Sequence, residues 1–553
     1  MRKAKINPFM YVFLLAGVLL LCLWAGRLTT AAPAAPGVIL LPLDSRPVNT
    51  DLPRQLAAIA GVNVILPEQE LLDQFLTPSQ PEPLFQWLRE REKSGREVAV
   101  LHVNQLLFGS LLHSREQAQY ETANEKLRSL HDYLLERDWT SERKIVLVYI
   151  LPRLLPSQYD AEMWAYEKEL PAFSQLKHRL SLTPGDGALA AELAALTELI
   201  PPAILQRYEN LYTQAYNTGV SLLEWLYQGL IDEIVIGLDD SSEYGLNVQT
   251  FQELKTAASY KEGQAFFLHG ADELTPLIIA RHCLGYGGDP ETFTLAFLSP
   301  DQEDIIFPYE SIPLRANFQE KLDYLFAGFA GRADGAPIAD GAATAQAGVG
   351  RAARPKWIYL HTRQDLSQEE QDAAVWRLEA DSGRPAHALV GLADVAKVNG
   401  TWPPLLERIG VERLYQVVDA YAGWNTAGNS LGSVMAHLLF WEAAGGLPEP
   451  VARQAAELQG DYQRLRLIDD YFFQSLVKQQ LIDWTIARGF PYLTFGSRWM
   501  EANDQLQSLM AAALAPWPQM LPGGRAPRAG EPYPYRFRFP WPRSFEIWIQ
   551  RAN

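Results

Sequence analysis

Cysteine is nearly absent from the chain, with only Cys22 and Cys283 among 553 residues. That excludes a disulfide-rich scaffold and any four-thiolate zinc site. Histidine is also sparse: nine residues, scattered, with no His-Glu-x-x-His and no close pair at ligand spacing, which argues against a histidine-rich zinc centre. Positive charge is short, 48 Lys and Arg against 65 Asp and Glu for a net charge of −17. Nucleic acid and anionic membrane faces are therefore poor partners, because phosphate binding needs local positive surface. No Gly-x-x-x-x-Gly-Lys or Gly-x-Gly-x-x-Gly run occurs, so nothing points to a nucleoside triphosphate or a nicotinamide cofactor. What is plentiful is apolar surface, 48% of residues, enough for two or three domains with a sizeable core.

The amino terminus has its own composition. Arg2, Lys3 and Lys5 precede an uncharged apolar run from Phe9 to Ala25, followed by Arg27 and a small, proline-dotted stretch to Gly37. A basic head, an apolar middle and small residues describe a secretory signal, and the run is also just long enough to span a bilayer. Ala32, Ala34 and Ala35 permit cleavage, whereas Arg27 suits an uncleaved anchor. Either way the expected location is extracytoplasmic, membrane-anchored or secreted, with the membrane touched only through this segment. Cys22 lies behind three leucines, which does not suit lipoprotein processing.

Beyond Gly37, short apolar runs alternate with turns and helical patterns. The runs are 38–43, 62–66, 98–103, 144–150, 233–238, 265–268, 292–298, 357–360, 388–392 and 414–418. Most are continuous, as for strands buried on both faces. The expected fold is α/β, a mostly parallel sheet with flanking helices, doubly wound and two-lobed, after one apolar amino-terminal helix. Closure into a barrel is the alternative. The expected organisation is a signal or anchor segment over 1–36, an α/β lobe over 37–327, an Ala/Gly-rich insertion over 328–355 and a second lobe over 356–553. In the tail, Arg536 and Arg538 alternate with Tyr535, Phe537 and Phe539, the pattern of a half-exposed strand.

Ligands of parallel α/β sheets bind at the carboxyl ends of strands. The residues following the runs are therefore the candidates: Asp44, Arg46 and Asn49 after the first, Asn104, Ser110, His113 and Arg115 after the third, and Arg153 after the fourth. Asp239 and Asp240 follow the fifth run, His269, Asp272 and Glu273 the sixth, Asp394 and Asn399 the ninth, and Asp419 with 421–429 the last. Capping of the next helix explains a single polar residue. Several converging carboxylates repel unless they bind a cation or share a proton. Asp239-Asp240 stands out, although adjacent residues leaving a strand point opposite ways, so one of the two is expected to face the cleft. In 421–429, Gly423 and Gly428 allow close approach, Trp424 offers a stacking face, and Asn425 and Asn429 offer donors and acceptors. Gly428-Asn429-Ser430-Leu431-Gly432 mimics a serine-hydrolase elbow, but that device needs a strand running directly into the serine. Cys283 reads as inert core.

The segments Pro42-Leu43-Asp44-Ser45-Arg46-Pro47-Val48-Asn49, Gly270-Ala271-Asp272-Glu273, Tyr421-Ala422-Gly423-Trp424-Asn425-Thr426-Ala427-Gly428-Asn429 and Arg538-Phe539-Pro540-Trp541-Pro542-Arg543-Ser544-Phe545-Glu546 resemble the bacterial family catalogued as domain of unknown function 4127. The resemblance runs from about residue 37 to the end. It implies one recurring full-length architecture and no reaction. Asn104 departs from it, standing where the family is expected to carry Asp, and the Ala/Gly-rich insertion is peculiar to this chain.

Three functions compete. The leading one is an exported hydrolase acting on a glycan or other polyhydroxylated substrate, with Asp239 or Asp240 paired with Asp272 or Glu273 as acid and base or nucleophile. Asp44, Arg46, Asn49, Asn425 and Asn429 then hold hydroxyls, and Trp424 stacks on a sugar face. The second is a hydrolase using magnesium, calcium or manganese on Asp44, Asp239, Asp272 and His269. The third is a non-catalytic extracytoplasmic ligand-binding protein.

Overall fold

Nine of the ten apolar runs are strands in the computed structural model, which describes residues 37–552 apart from 92–96, 117–121, 137–142, 260, 262, 285–289, 300–301, 329–352, 383–387, 491–493 and 529. The amino-terminal segment and most of the Ala/Gly-rich insertion lie outside the described residues. The strands are β1 (Gly37–Leu41), β2 (Asn63–Ile65), β3 (Glu97–His102), β4 (Ile145–Leu151), β5 (Glu233–Leu238), β6 (Ala265–His269), β7 (Phe293–Phe297), β8 (Lys356–His361), β9 (Leu389–Asp394), β10 (Ala420–Ala422), β11 (Tyr535–Arg538) and β12 (Trp548–Arg551).

They form two open parallel sheets, a six-stranded one in the order β2-β1-β3-β4-β5-β6 and a four-stranded one in the order β10-β9-β8-β7, with β11-β12 as an antiparallel pair. No barrel closes. The second sheet takes β7 from upstream of the Ala/Gly-rich insertion and its other strands from downstream.

Alternation along the strands explains the layering. Val38, Leu40, Val100, Val146, Val148 and Val235 turn to one face of the large sheet. There they pack with α1 (Asp51–Ile59), α6 (Leu274–Cys283), α7 (Leu314–Phe326) and α9 (Ala427–Ala444), and through these helices with Ile358, Leu360 and Ala393 of the small sheet. Ile39, Leu41, Ala99, Leu101, Leu147 and Ile236 turn the other way, onto α2 (Pro81–Arg91), α3 (Ala123–Glu136), α4 (Pro202–Gln228) and α5 (Leu246–Ala257). The outer face of the small sheet, with Tyr359, Val390 and Leu392, packs in one cluster with α8 (Gln368–Ser382), α10 (Trp499–Leu514) and the tail. Each fully buried Leu, Ile or Val contributes about 1.5–3 kcal/mol relative to exposure. Strands covered on both faces therefore read as unbroken apolar runs.

In the large sheet the helix after β1 lies on the inner face, and those after β2 to β5 lie on the outer face. The winding reverses between β1 and β3, which opens a crevice at their carboxyl ends.

The tenth run is a correction. Leu414–Val417 is a short helix and the strand is Ala420–Ala422, because a short apolar run does not by itself separate helix from strand. Asp419 thereby moves to the entry of β10, where its carboxylate accepts the Val390 amide at 2.9 Å, away from the strand ends.

Candidate functional site

The carboxyl ends of both sheets and the carboxy-terminal tail meet around one cavity of about 230 Å³. Asp44 and Arg46 come from the turn after β1, Arg115 from beyond β3, Arg153 and Tyr159 from beyond β4, and Asp239 and Asp240 from just beyond β5. Asp272 follows β6, Asn399 follows β9, Asn425 follows β10, and Trp541, Arg543 and Phe545 come from the tail.

Arg46 organises the floor. Its Nε donates to Asp44 Oδ2 at 2.9 Å, and its Nη2 lies 2.7 Å from both Asp44 Oδ2 and Asp272 Oδ1. Its Nη1 reaches Asp272 Oδ2 and Glu546 Oε1, each at 3.4 Å. Asn49 Nδ2 bridges Asp44 and Asp272 at 2.9 and 3.0 Å, and Asn425 Nδ2 donates to Asp272 at 3.2 Å. All these floor groups except Asn425 are buried. The loop is held locally, since the Arg46 amide donates to Asp44 Oδ1 at 3.1 Å and the Asn49 amide to the Arg46 carbonyl at 3.0 Å.

One guanidinium among three carboxylates is stable only as a set, because removing a partner strands a buried charge. Burial raises the Asp44 carboxyl, but the Arg46 charge and hydrogen bonds from Arg46 and Asn49 outweigh it and hold Asp44 below its usual range. Burial, assisted by Asp44 and Asp239, pushes Asp272 up to about 6 against the pull of Arg46. Every hydrogen-bond partner of Asp272 named above is a donor, which suits the carboxylate present at neutral pH.

Asp239 and Asp240 form the wall. Arg115 Nη2 donates to Asp239 Oδ2 at 2.6 Å and Arg153 Nη1 to Asp240 Oδ2 at 3.2 Å. Arg153 is fixed in turn by the carbonyls of Leu155 and Pro156. The side chains of Asp239 and Asp240 keep 13% and 18% exposure, whereas Asp272 keeps 3%, so the wall acids are the ones a ligand can reach. Burial and the neighbouring Asp239 charge raise the Asp240 carboxyl, against Arg153. Both acids line the cavity, contrary to the expectation that one would turn away. The strand ends at Leu238, and beyond it the backbone is irregular, so alternation no longer applies.

The rim carries strain. Among the described residues, the non-glycine residues with positive φ are Phe75, Tyr309, Asn399 and Asn425. Three of them line the cavity, and Phe75 packs 5.2 Å from Tyr159 and 5.6 Å from Trp541. Asn tolerates this region, but a residue such as Tyr309 held there costs roughly 1–2 kcal/mol, and such strain gathers at functional sites. The tail closes the rim. Arg543 stacks 4.6 Å over Trp541 and 5.1 Å over Phe545 and pairs with Glu546, the same carboxylate that reaches Arg46.

Six of the ten residues given roles in the glycan-hydrolase expectation line this cavity: Asp44, Arg46, Asp239, Asp240, Asp272 and Asn425. Asn49 sits just behind them. Glu273 turns back under its own helix, taking the Ala271 amide at 3.1 Å and Lys321 at 3.3 Å. Trp424 is buried behind Phe545, 6.0 Å away, and presents no stacking face to the cavity. Asn429 is buried in the first turn of α9, its amide capped by Thr426 Oγ1 at 3.4 Å. The 421–429 run is tight because of packing: a Cβ on Gly423 would lie 2.6 Å from Thr401, and one on Gly428 would lie 2.7 Å from Asn317. Ser430 spends its hydroxyl on the Trp424 carbonyl at 3.0 Å.

Arg115 and Arg153 follow strands in the sequence, yet their pairing with Asp239 and Asp240 shows only in three dimensions. Trp541, Arg543, Phe545 and Glu546 were signalled only by the distinctive run in the tail.

The oxygen-rich set considered for a divalent cation does not fit one. Asp44 and Asp272 are taken up by Arg46, Asn49 and Asn425, Asp239 by Arg115, and His269 by Glu320 at 2.7 Å. Among the described residues no group of three or more His, Cys, Asp or Glu side chains is arranged to hold a metal. The cations that reconcile these carboxylates are guanidinium groups.

Residues 38–550 match the family described as protein of unknown function (DUF4127). The chain belongs to that family. No curated protein and no solved structure matches it. The match to DUF4127 takes in every lining residue from Asp44 to Phe545, so the cavity is built wholly within the family's own span.

Proposed function

We propose that the protein is a hydrolase acting on a glycan or other polyhydroxylated substrate in this cavity. Asp240 serves as the proton donor, Asp239 as nucleophile or base, and Asn425, held by the Asp44–Arg46–Asp272 floor beneath it, binds hydroxyls. The observation that carries the reading is the pair Asp239 and Asp240 on one cavity wall. Each is oriented by its own arginine and partly open to the cavity, and burial with a like-charged neighbour raises the Asp240 carboxyl. General acid catalysis needs such a raised carboxyl, and glycoside cleavage needs a second carboxylate beside it. Tyr159 and Phe545, both partly exposed, supply apolar faces for a sugar ring, with Trp541 packed behind them under Arg543.

The test is reducing-end release from a panel of neutral oligosaccharides by the full chain and by Asp240→Asn. The expected result is release by the wild type, lowered at least about 100-fold in the variant, with ligand affinity retained. Bound ligand without release from any member of the panel would leave a binding protein instead.

We also propose that the chain works outside the cytoplasm, tethered or led there by residues 1–36. The support is the order basic head, apolar run, small residues. Fusing 1–36 to a phosphatase reporter that matures only after export should give an active reporter; an inactive, cytoplasmic reporter would refute the assignment.

A further inference from the structure

The structure assigns this cavity a narrower ligand class: a single, uncharged sugar unit at a chain end, with acidic sugars and sugar phosphates disfavoured. The reaction rests on the hydrolase reading above; the ligand class does not.

Charge disfavours an anionic ligand. Every guanidinium facing the cavity already has a carboxylate partner: Arg46 has Asp44, Asp272 and Glu546, Arg115 has Asp239, Arg153 has Asp240, and Arg543 has Glu546. An anionic ligand gains little from such an arginine unless it displaces the partner, and it meets that partner's charge at close range. Hydrogen-bond chemistry favours hydroxyls. Each arginine–aspartate pair sets donors directly beside acceptors, and a hydroxyl satisfies both because it donates and accepts. A carboxylate or phosphate only accepts, and leaves the aspartate oxygens unmatched. Size limits the ligand. About 230 Å³ falls below the roughly 300–1,000 Å³ of sites for drug-sized ligands, and suits one ring. The ring would lie between Phe545 and Tyr159, above a floor whose carboxylates are almost closed to solvent.

The experiment is titration calorimetry of the full chain with methyl glycosides of neutral hexoses, the corresponding uronic acids, hexose phosphates and a neutral trisaccharide. The expected result is measurable binding of at least one neutral methyl glycoside, insensitive to salt. Its uronic acid and phosphate counterparts should bind at least about tenfold more weakly, the scale of one mismatched buried polar group. The trisaccharide should bind within about twofold of its terminal unit. Asp239→Asn, which frees Arg115, should raise affinity for the uronic acid about tenfold while the circular dichroism spectrum stays unchanged. Tighter, salt-sensitive binding of the acidic sugars, affinity that climbs with chain length, or no binding of any of these probes would overturn the inference. Neutral-sugar binding without hydrolysis defeats the reaction reading and leaves this one standing. Hydrolysis confined to acidic sugars does the reverse.

Discussion

Asp272 shows how one side chain ties the fold to the site. Its carboxyl ordinarily titrates near 3.8 and in the folded chain near 6. Between those values the folded state holds the proton more tightly than the unfolded state, so this group's contribution to stability falls as pH rises from about 4 to about 6, by as much as about 3 kcal/mol. Asp272→Asn removes the titration. The stability of the wild type relative to the variant, from urea denaturation, should therefore decline across that window, and a flat difference would show that Asp272 keeps an ordinary carboxyl. Burying the charge is the cost of the floor: the ionised Asp272 is what Arg46, Asn49 and Asn425 converge upon.

At the scale of elements, the loops after the strands do the work, and the rim strain can be tested there. Tyr309 is 42% exposed and sits at φ 69°. Removing its ring costs little burial, whereas giving the position a glycine relieves the backbone. Tyr309→Gly should exceed Tyr309→Ala in unfolding free energy by about 1 kcal/mol, the reverse of the usual order; equal stabilities would mean that the residue carries no strain.

The same scale shows what was legible in the sequence. Strands covered on both faces announce themselves as apolar runs, so the polar residues just after them, Asp44, Asp239, Asp240 and Asp272, could be picked out without coordinates. The run 414–418 misled because four residues of helix and four of strand look alike when both are buried. Glu273 and Trp424 misled for a different reason. Position along the chain places a residue near a strand end, but the side-chain direction depends on contacts with Lys321 and Phe545 that lie far away in sequence.

For the whole molecule, the two sheets act as one scaffold. Their inner faces share a single apolar cluster through α1, α6, α7 and α9, and this brings the strand ends of both to one crevice. The tail then crosses some 500 residues of sequence to set Glu546 against Arg46 and Trp541 against Ser45, whose hydroxyl accepts the indole N–H at 3.0 Å. Local patterning cannot reveal such a contact, which is why the arginine–aromatic rim was not evident before the fold was known. The cavity's position is thus a property of the assembled chain.

The most direct measurement is diffraction from crystals of the full-length Asp240→Asn chain grown with methyl glycosides of neutral hexoses. A sugar ring is expected against Phe545 and Tyr159, its hydroxyls within hydrogen-bond distance of Asp239 and Asn425. A ring bound elsewhere on the molecule, with this cavity holding only water, would contradict that expectation.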